Sequence, residues 1–117
     1  MFRKNVHYKC ISLTETKAVV QSKNAVFVDI RDKSTFLKCH IPNAIHLSQR
    51  SLDSFLSDRK KDDHIIVYCY HGNSSKDAAE FLTKQGFQKV YSLDGGFSEY
   101  VQSETELQNN NEAREVI

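Results

Sequence analysis

The chain of 117 residues has little cysteine, little proline and almost no excess of charge of either sign. Its three cysteines include no C-x-x-C pair, which excludes a dense disulfide framework and argues against a tetrahedral zinc site. Sixteen lysines and arginines against fifteen acidic residues argue against the strongly basic surface that binds nucleic acid or an anionic membrane. No apolar run approaches the ~20 residues of a membrane span, and the N-terminus lacks the apolar segment of a signal peptide. We therefore expect a cytoplasmic protein with no nucleic-acid or membrane partner.

Hydrophobic residues make up 39% of the chain, which is enough to fill the core of one compact domain. The final segment, SETELQNNNEAREVI from Ser103, carries three consecutive asparagines and few large apolar side chains. We expect one folded domain over residues 6–102 and a flexible polar tail over residues 103–117.

Short apolar segments alternate with segments of helical character along this domain. Two of the apolar segments, AVFVDI and HIIVYC, are nearly continuous, as is typical of parallel strands covered on both faces. The alternation predicts a single α/β domain with a mainly parallel central sheet of about five strands and helices on both faces. The predicted strands are Ala25–Ile30, Ala44–Leu47, His64–Cys69, Lys89–Leu93 and an edge strand at Tyr8–Ile11.

Serine residues mark the starts of the predicted helices. Ser12 and Glu15 have the spacing of a capping box, which opens a helix to about residue 22. The clearest helix lies in SSKDAAEFLTKQG, where we expect Ser74 or Ser75 to cap the first turn and Gly86 to end the helix in the left-handed conformation. Two shorter helices are expected, one capped by Ser34 and one over Ser51–Leu56.

Polar and nucleophilic residues stand at the carboxyl ends of two predicted strands, where open parallel sheets bind their ligands. One strand runs into Asp29-Ile30-Arg31-Asp32. The other ends in Cys69, which a short loop and then a helix follow. The inward N–H groups of such a loop and the positive end of the helix dipole both favour the thiolate form of cysteine. This pattern indicates Cys69 as a candidate nucleophile.

Each of these residues also has a plainer interpretation. Cys69 is equally compatible with a small hydrophobic residue buried at a strand end. His71 could act as the base of a Cys-His dyad, but we favour an exposed loop histidine because loop amides supply the same electrostatic help. We expect Asp29 and Arg31 to form an ion pair that supports the loop, and His40 to fix a neighbouring loop.

The remaining cysteines and histidines show no metal-ligand spacing. A metal site would have to combine scattered residues, so we expect no metal. Cys10 and Cys39 are expected to fill space or to lie at the surface. The scattered candidates near the strand ends are Cys39, His40, His46, Cys69 and His71.

Four motifs together resemble the rhodanese family. Their order and spacing are similar to those of its single-domain thiosulfate sulfurtransferases, and the resemblance extends from Tyr8 to Gln102. The departures are Cys39, where the family usually has Gly, Asn43, where a small residue is common, and Tyr100, where Trp is frequent. These departures concern loop geometry rather than chemistry. The motifs are VDIRD (28–32), HIPNAIHL (40–47), CYHGNSS (69–75) and LDGGF (93–97).

The resemblance implies a two-step sulfur transfer that needs no cofactor. The Cys69 thiolate would attack the outer sulfur of thiosulfate, release sulfite and carry the sulfur as a persulfide. Cyanide or a thiol acceptor such as thioredoxin would then remove it. The residues implied to bind the substrate are those of the loop: Tyr70, His71, Gly72, Asn73, Ser74 and Ser75.

Two rival functions use the same architecture. Dual-specificity cell-cycle phosphatases and arsenate reductases also begin an anion-binding loop with cysteine, but the loop of those phosphatases is one residue longer and ends in Arg. Non-catalytic rhodanese-like modules serve in protein binding or regulation and typically lack the loop cysteine. The presence of Cys69 and the absence of arginine from residues 69–75 favour sulfur transfer.

Overall fold

The computed structural model describes residues 7–22 and 24–105. Five parallel strands form one sheet in the order β1-β5-β4-β2-β3. The strands are β1 (Lys9–Ile11), β2 (Ala25–Asp29), β3 (Ile45–His46), β4 (His64–Tyr68) and β5 (Lys89–Leu93). The helices between them are α1 (Leu13–Ser22), α2 (Lys33–Lys38), α3 (Leu52–Asp58) and α4 (Ser74–Lys84). A further helix, α5, covers residues 96–105.

The predicted α/β class, the strand number and the parallel sheet are confirmed, with small differences at the strand ends. The structure ends β4 at Tyr68, one residue earlier than predicted, so that Cys69 is the first residue of the loop. β3 has only two residues. Ile45 and His46 pair there with the last two residues of β2 at the edge of the sheet.

The core is divided between the two faces of the sheet, because successive side chains of a strand point to opposite faces. On one face, Ile65 and Val67 of β4 belong to a cluster with Phe55 of α3 and Leu82 of α4. On the other face, Ile66 and Tyr68 of β4 belong to a cluster with Phe97 of α5, against which Leu13 and Val19 of α1 pack. The predicted placement of helices on both faces is therefore confirmed.

The capping box of α1 is present as predicted. The Ser12 N–H donates to Glu15 Oε1 at 2.8 Å, and the Glu15 N–H donates to Ser12 Oγ at 3.1 Å. Gly86, with φ +106°, follows the end of α4 in the left-handed region, also as predicted.

Two predicted caps are wrong. Asp32, not Ser34, caps α2, because the Asp32 carboxylate accepts the Thr35 N–H while the Ser34 hydroxyl donates to Asp32. Asn73 occupies the N-cap position of α4 and makes no side-chain cap bond. Ser74 and Ser75 lie inside the first turn of that helix, so neither is its cap.

The described chain runs slightly past the predicted domain limit. Helix α5 continues through residue 105, three residues into the predicted tail. Residue 6 and residues 106–117, which complete the predicted domain and tail, lie outside the described residues. No helix among residues 7–22 and 24–105 is long and apolar enough to cross a membrane.

Candidate active site

Cys69 is the first residue of the loop that joins β4 to α4, and it is 7% exposed. The backbone folds back on the sulfur: the Gly72 N–H donates to Cys69 Sγ at 3.1 Å and the Ser75 N–H donates at 3.3 Å. The Ser75 hydroxyl oxygen lies 3.5 Å from the same sulfur. The sulfur is therefore held in a cradle of neutral polar groups.

These neutral donors decide the ionisation of Cys69. Burial acts to raise the pKa of the thiol, but the Ser75 side chain and the amides of Ser75, Gly72 and Ser74 outweigh it and lower the pKa below its ordinary value. The physical cause is that each donor stabilises the negative sulfur more than the neutral thiol. The predicted activation by loop amides thus has a geometric basis.

The loop keeps its shape because a second turn packs against it. The Phe97 N–H donates to the Cys69 carbonyl and the Ser98 N–H to the Tyr70 carbonyl, each at 2.9 Å. This approach requires Gly96, since a Cβ atom there would lie 2.6 Å from the Cys69 carbonyl oxygen. The first turn of α5 therefore clamps the backbone that carries Cys69.

Asp29 and Arg31 form the predicted ion pair at the carboxyl end of β2. Arg31 Nη2 lies 2.7 Å from Asp29 Oδ2, and Arg31 Nε lies 3.0 Å from Oδ1. Arg31 also donates to the Cys39 carbonyl at 2.7 Å, and its guanidinium lies 4.1 Å from the centre of the Phe97 ring. The pair thus connects β2, the segment before residue 40 and the base of α5, which agrees with a supporting role.

The ion pair also fixes the charge of both partners. Burial alone would raise the pKa of the Asp29 carboxyl, but hydrogen bonds from Arg31 and Tyr68 bring it below its usual range. For Arg31, burial acts to lower the pKa and the contact with Asp29 raises it. Asp29 is fully buried, so the carboxylate depends on these partners for its stability.

The two histidines predicted near the site have different surroundings. His40 Nδ1 donates to the Phe36 carbonyl at 2.7 Å, and its ring stacks on the Phe36 ring at 3.9 Å, as expected for a loop-fixing residue. His71 is exposed and packs edge-on against the Tyr70 ring at 4.5 Å. None of the hydrogen bonds described for the Cys69 sulfur comes from His71.

The other two loop positions and the other two cysteines are exposed. Asn73 and Ser74 face solvent at the start of α4. Cys10 and Cys39 are free, exposed thiols. Within residues 7–22 and 24–105, no three His, Cys, Asp or Glu side chains come together as a metal site would require.

The sequence analysis missed Ser92. This β5 residue is fully buried, and its hydroxyl oxygen lies 2.8 Å from Ser75 Oγ. The available signal was a serine within a segment predicted as a buried strand, where an apolar residue is the rule. It could be interpreted only once β5 was known to pair with β4.

Comparison with known proteins agrees with this architecture. The family model described as "Rhodanese-like domain" matches residues 12–103. A rhodanese-like domain from Anabaena has 29% identity and a TM-score of 0.61, covering 66% of this chain and 90% of that one. A rhodanese-related protein from Thermoplasma volcanium has 24% identity and a TM-score of 0.68, covering 82% and 93%. The human single-domain sulfurtransferase TSTD1 shares the fold at 19% identity, with a TM-score of 0.72 and coverage of 82% and 97%.

The family match spans β2 to β5, the cysteine loop and the turn that clamps it, and it begins one residue after β1. It includes all four motifs of the sequence analysis. The sheet, the position of Cys69 and this match lead to one conclusion: the chain belongs to the rhodanese-like domain family.

Proposed function

We propose that this protein is a thiosulfate sulfurtransferase that carries sulfur as a persulfide on Cys69. The observation that carries the proposal is the set of neutral donors around Sγ, with Gly72 N at 3.1 Å, Ser75 N at 3.3 Å and Ser75 Oγ at 3.5 Å. Such a cradle stabilises a negative sulfur without placing a positive charge next to it. A persulfide carrier needs this property, because its sulfur is anionic before and after the first transfer.

In the first step, the Cys69 thiolate attacks the outer sulfur of thiosulfate. A new S–S bond forms to Cys69, the S–S bond of thiosulfate breaks, and its electron pair leaves with sulfite. The products are a cysteine persulfide anion and sulfite, so charge and atoms balance. We assign binding of the substrate to the loop residues Tyr70, His71, Gly72, Asn73, Ser74 and Ser75. Support comes from the amides of Gly72 and Ser75, which donate to the Cys69 sulfur that the incoming anion must reach.

In the second step, an acceptor takes the outer sulfur and Cys69 leaves as a thiolate. Cyanide yields thiocyanate directly. A dithiol such as reduced thioredoxin yields its disulfide, hydrogen sulfide and the free enzyme. The two steps share one covalent intermediate, so ping-pong kinetics are expected.

A phosphatase activity is less well supported by the same loop. A phosphoryl dianion is usually held by the planar fork of an arginine, and residues 69–75 contain none. The nearby Arg31 is engaged with Asp29 and the Cys39 carbonyl. A purely binding role would not require a cysteine whose pKa is lowered.

We also propose a cytoplasmic location. The proposal rests on the chemistry of the three free cysteines, since a reducing compartment keeps the nucleophile and the two exposed thiols reduced.

The test is a steady-state assay with a panel of donors and acceptors. We expect turnover with thiosulfate and either cyanide or reduced thioredoxin, and much slower reaction with mercaptopyruvate or an aryl phosphate. Cys69→Ser should abolish turnover, whereas the matched controls Cys10→Ser and Cys39→Ser, at exposed thiols, should retain it. Turnover of the aryl phosphate above that of thiosulfate, or near-normal activity in Cys69→Ser, would overturn the proposal.

A further inference from the structure

Two buried hydroxyl groups form a chain that ends at the nucleophile. Ser92 Oγ lies 2.8 Å from Ser75 Oγ, and Ser75 Oγ lies 3.5 Å from Cys69 Sγ. Both serines are fully buried. Burying a hydroxyl is unfavourable unless it is hydrogen-bonded, and the hydrogen bond described for the Ser92 hydroxyl is the one to Ser75.

Counting protons fixes the direction of this chain when the sulfur is ionised. A thiolate carries no proton, so the contact between Ser75 and Sγ is favourable only if the Ser75 hydroxyl donates to the sulfur. A hydroxyl has one proton to donate, and Ser75 has then used it. The bond between the two serines must therefore be donated by Ser92.

We propose that Ser92 is a positioning residue for the nucleophile: its hydroxyl donates to Ser75 and thereby directs the Ser75 proton at the sulfur of Cys69. Ser92 does not touch the sulfur. It acts through Ser75, by removing the alternative in which the Ser75 proton points away from the reacting atom.

This chain is strengthened by ionisation of the sulfur. When Cys69 is a thiol, its S–H donates to Ser75, Ser75 donates to Ser92, and the serine pair is still bonded in the opposite direction. When Cys69 is a thiolate, Ser92 donates to Ser75 and Ser75 donates to the negatively charged sulfur. The hydrogen bond to the charged sulfur strengthens the bond between the two serines, because hydrogen bonds in a chain polarise one another. Ser92 therefore stabilises the thiolate more than the thiol, in the direction of the lowered pKa of Cys69.

Charged groups on the surrounding elements do not replace this chain. Within the described residues, the hydrogen bonds to the Cys69 sulfur come from the loop backbone and Ser75, all of them neutral. Arg31 is paired with Asp29 at the end of β2. The other titratable or charged residues of the loop, the first turn of α4, the turn after β5 and the first turn of α5 are Tyr70, His71, Lys76, Asp77, Asp94 and Glu99.

The test measures the rate of alkylation of Cys69 against pH, in a Cys10→Ser/Cys39→Ser background so that only one thiol reacts. Ser75→Ala should raise the midpoint by about one pH unit, as expected for loss of a hydrogen bond to a charged group. Ser92→Ala should raise it by about half a unit, which is about threefold less thiolate below the midpoint. Ser92→Thr, which keeps a hydroxyl and suits a strand, should restore the original midpoint.

The double variant Ser75→Ala/Ser92→Ala separates positioning from a general structural effect. If Ser92 acts only through Ser75, the double variant has the midpoint of Ser75→Ala alone. The matched control is Thr83→Ala in α4, which removes a hydroxyl bonded to the Ala79 carbonyl at 2.8 Å and should leave the midpoint unchanged.

The inference rests on the proposed role of Cys69 as the nucleophile, but alkylation involves neither thiosulfate nor an acceptor. A protein that alkylates as expected and fails to transfer sulfur would overturn the proposed function and support the hydroxyl chain. Two results would overturn the proposed role of Ser92. One is an unchanged alkylation midpoint in Ser92→Ala. The other is a midpoint shift from Ser92→Ala that is as large in the Ser75→Ala background as in the protein that keeps Ser75.

Discussion

The chemistry at Cys69 depends on a few neutral donors. The amides of Gly72 and Ser75 and the Ser75 hydroxyl reach the sulfur, while the nearby histidine does not. The sequence could predict the position of Cys69 in a strand-to-helix loop and make it the candidate nucleophile, because a cysteine between a buried strand and a helix start is a recognisable pattern. It could not predict that Ser75 faces the sulfur rather than capping the helix, since both roles suit a serine at that position.

The mutation of His71 tests whether a base is needed. We expect His71→Ala to retain kcat/KM within about threefold, because no proton of Cys69 is held by the imidazole in this geometry. Activity should fall as the pH drops through the lowered pKa of Cys69, since only the thiolate attacks, and this acid limb should be the same in wild type and His71→Ala. The measurement is a pH profile of sulfur transfer, and a loss of about a thousandfold at neutral pH would instead support a Cys-His dyad.

Among the helices and turns, the start of α5 matters most for the site. Its first amides hold the carbonyls of Cys69 and Tyr70, so this helix positions the loop without contributing a reacting group. Sequence signals predicted the helices themselves but were less reliable for their caps. At α2 an aspartate two residues before the predicted serine competed for the cap, and at α4 the tertiary contact with the sulfur determined the position of Ser75.

Two glycines with positive φ provide a matched comparison. Gly86→Ala should cost about 1–2 kcal/mol of stability through backbone strain alone, because the nearest atoms to its Cβ would be 3.7 Å away on the flexible Lys61 side chain. Gly96→Ala should cost more, about 2–4 kcal/mol, because its Cβ would also press on the carbonyl oxygens of Cys69 and Tyr70 at 2.6 and 2.7 Å.

Thermal unfolding and sulfur transfer together test this comparison. Gly86→Ala should keep its activity below its melting temperature. Gly86 follows the C-terminus of α4, whereas the Cys69 loop leads into the N-terminus of that helix. Gly96→Ala should lose most of its activity even where it remains folded. Equal activity in the two folded variants would show that the loop does not depend on the close approach of this turn.

At the scale of the whole molecule, the order of the strands in the sheet determines which residues meet at the Cys69 site. The carboxyl ends of β2 and β4 are neighbours in the sheet, which brings the Asp29–Arg31 pair beside the segment that leads into the Cys69 loop. The placement of β5 next to β4 brings Ser92 to Ser75. Periodicity predicted the strands and their parallel direction, but neighbours in the sheet are set by long-range packing that no local pattern records. This is why the ion pair and the position of Cys69 after a buried strand could each be predicted, whereas the contact between Ser92 and Ser75 could not.

The most direct test of the central claim is the mass of the whole protein after incubation with thiosulfate in the absence of an acceptor. We predict the gain of one sulfur atom, located by peptide mapping on Cys69 and absent from the exposed Cys10 and Cys39, because the Cys69 sulfur is held by amide donors that favour the reactive thiolate. Addition of cyanide should return the protein to its original mass. A Cys69 that stays unmodified in excess thiosulfate, or equal modification of all three cysteines, would contradict the account.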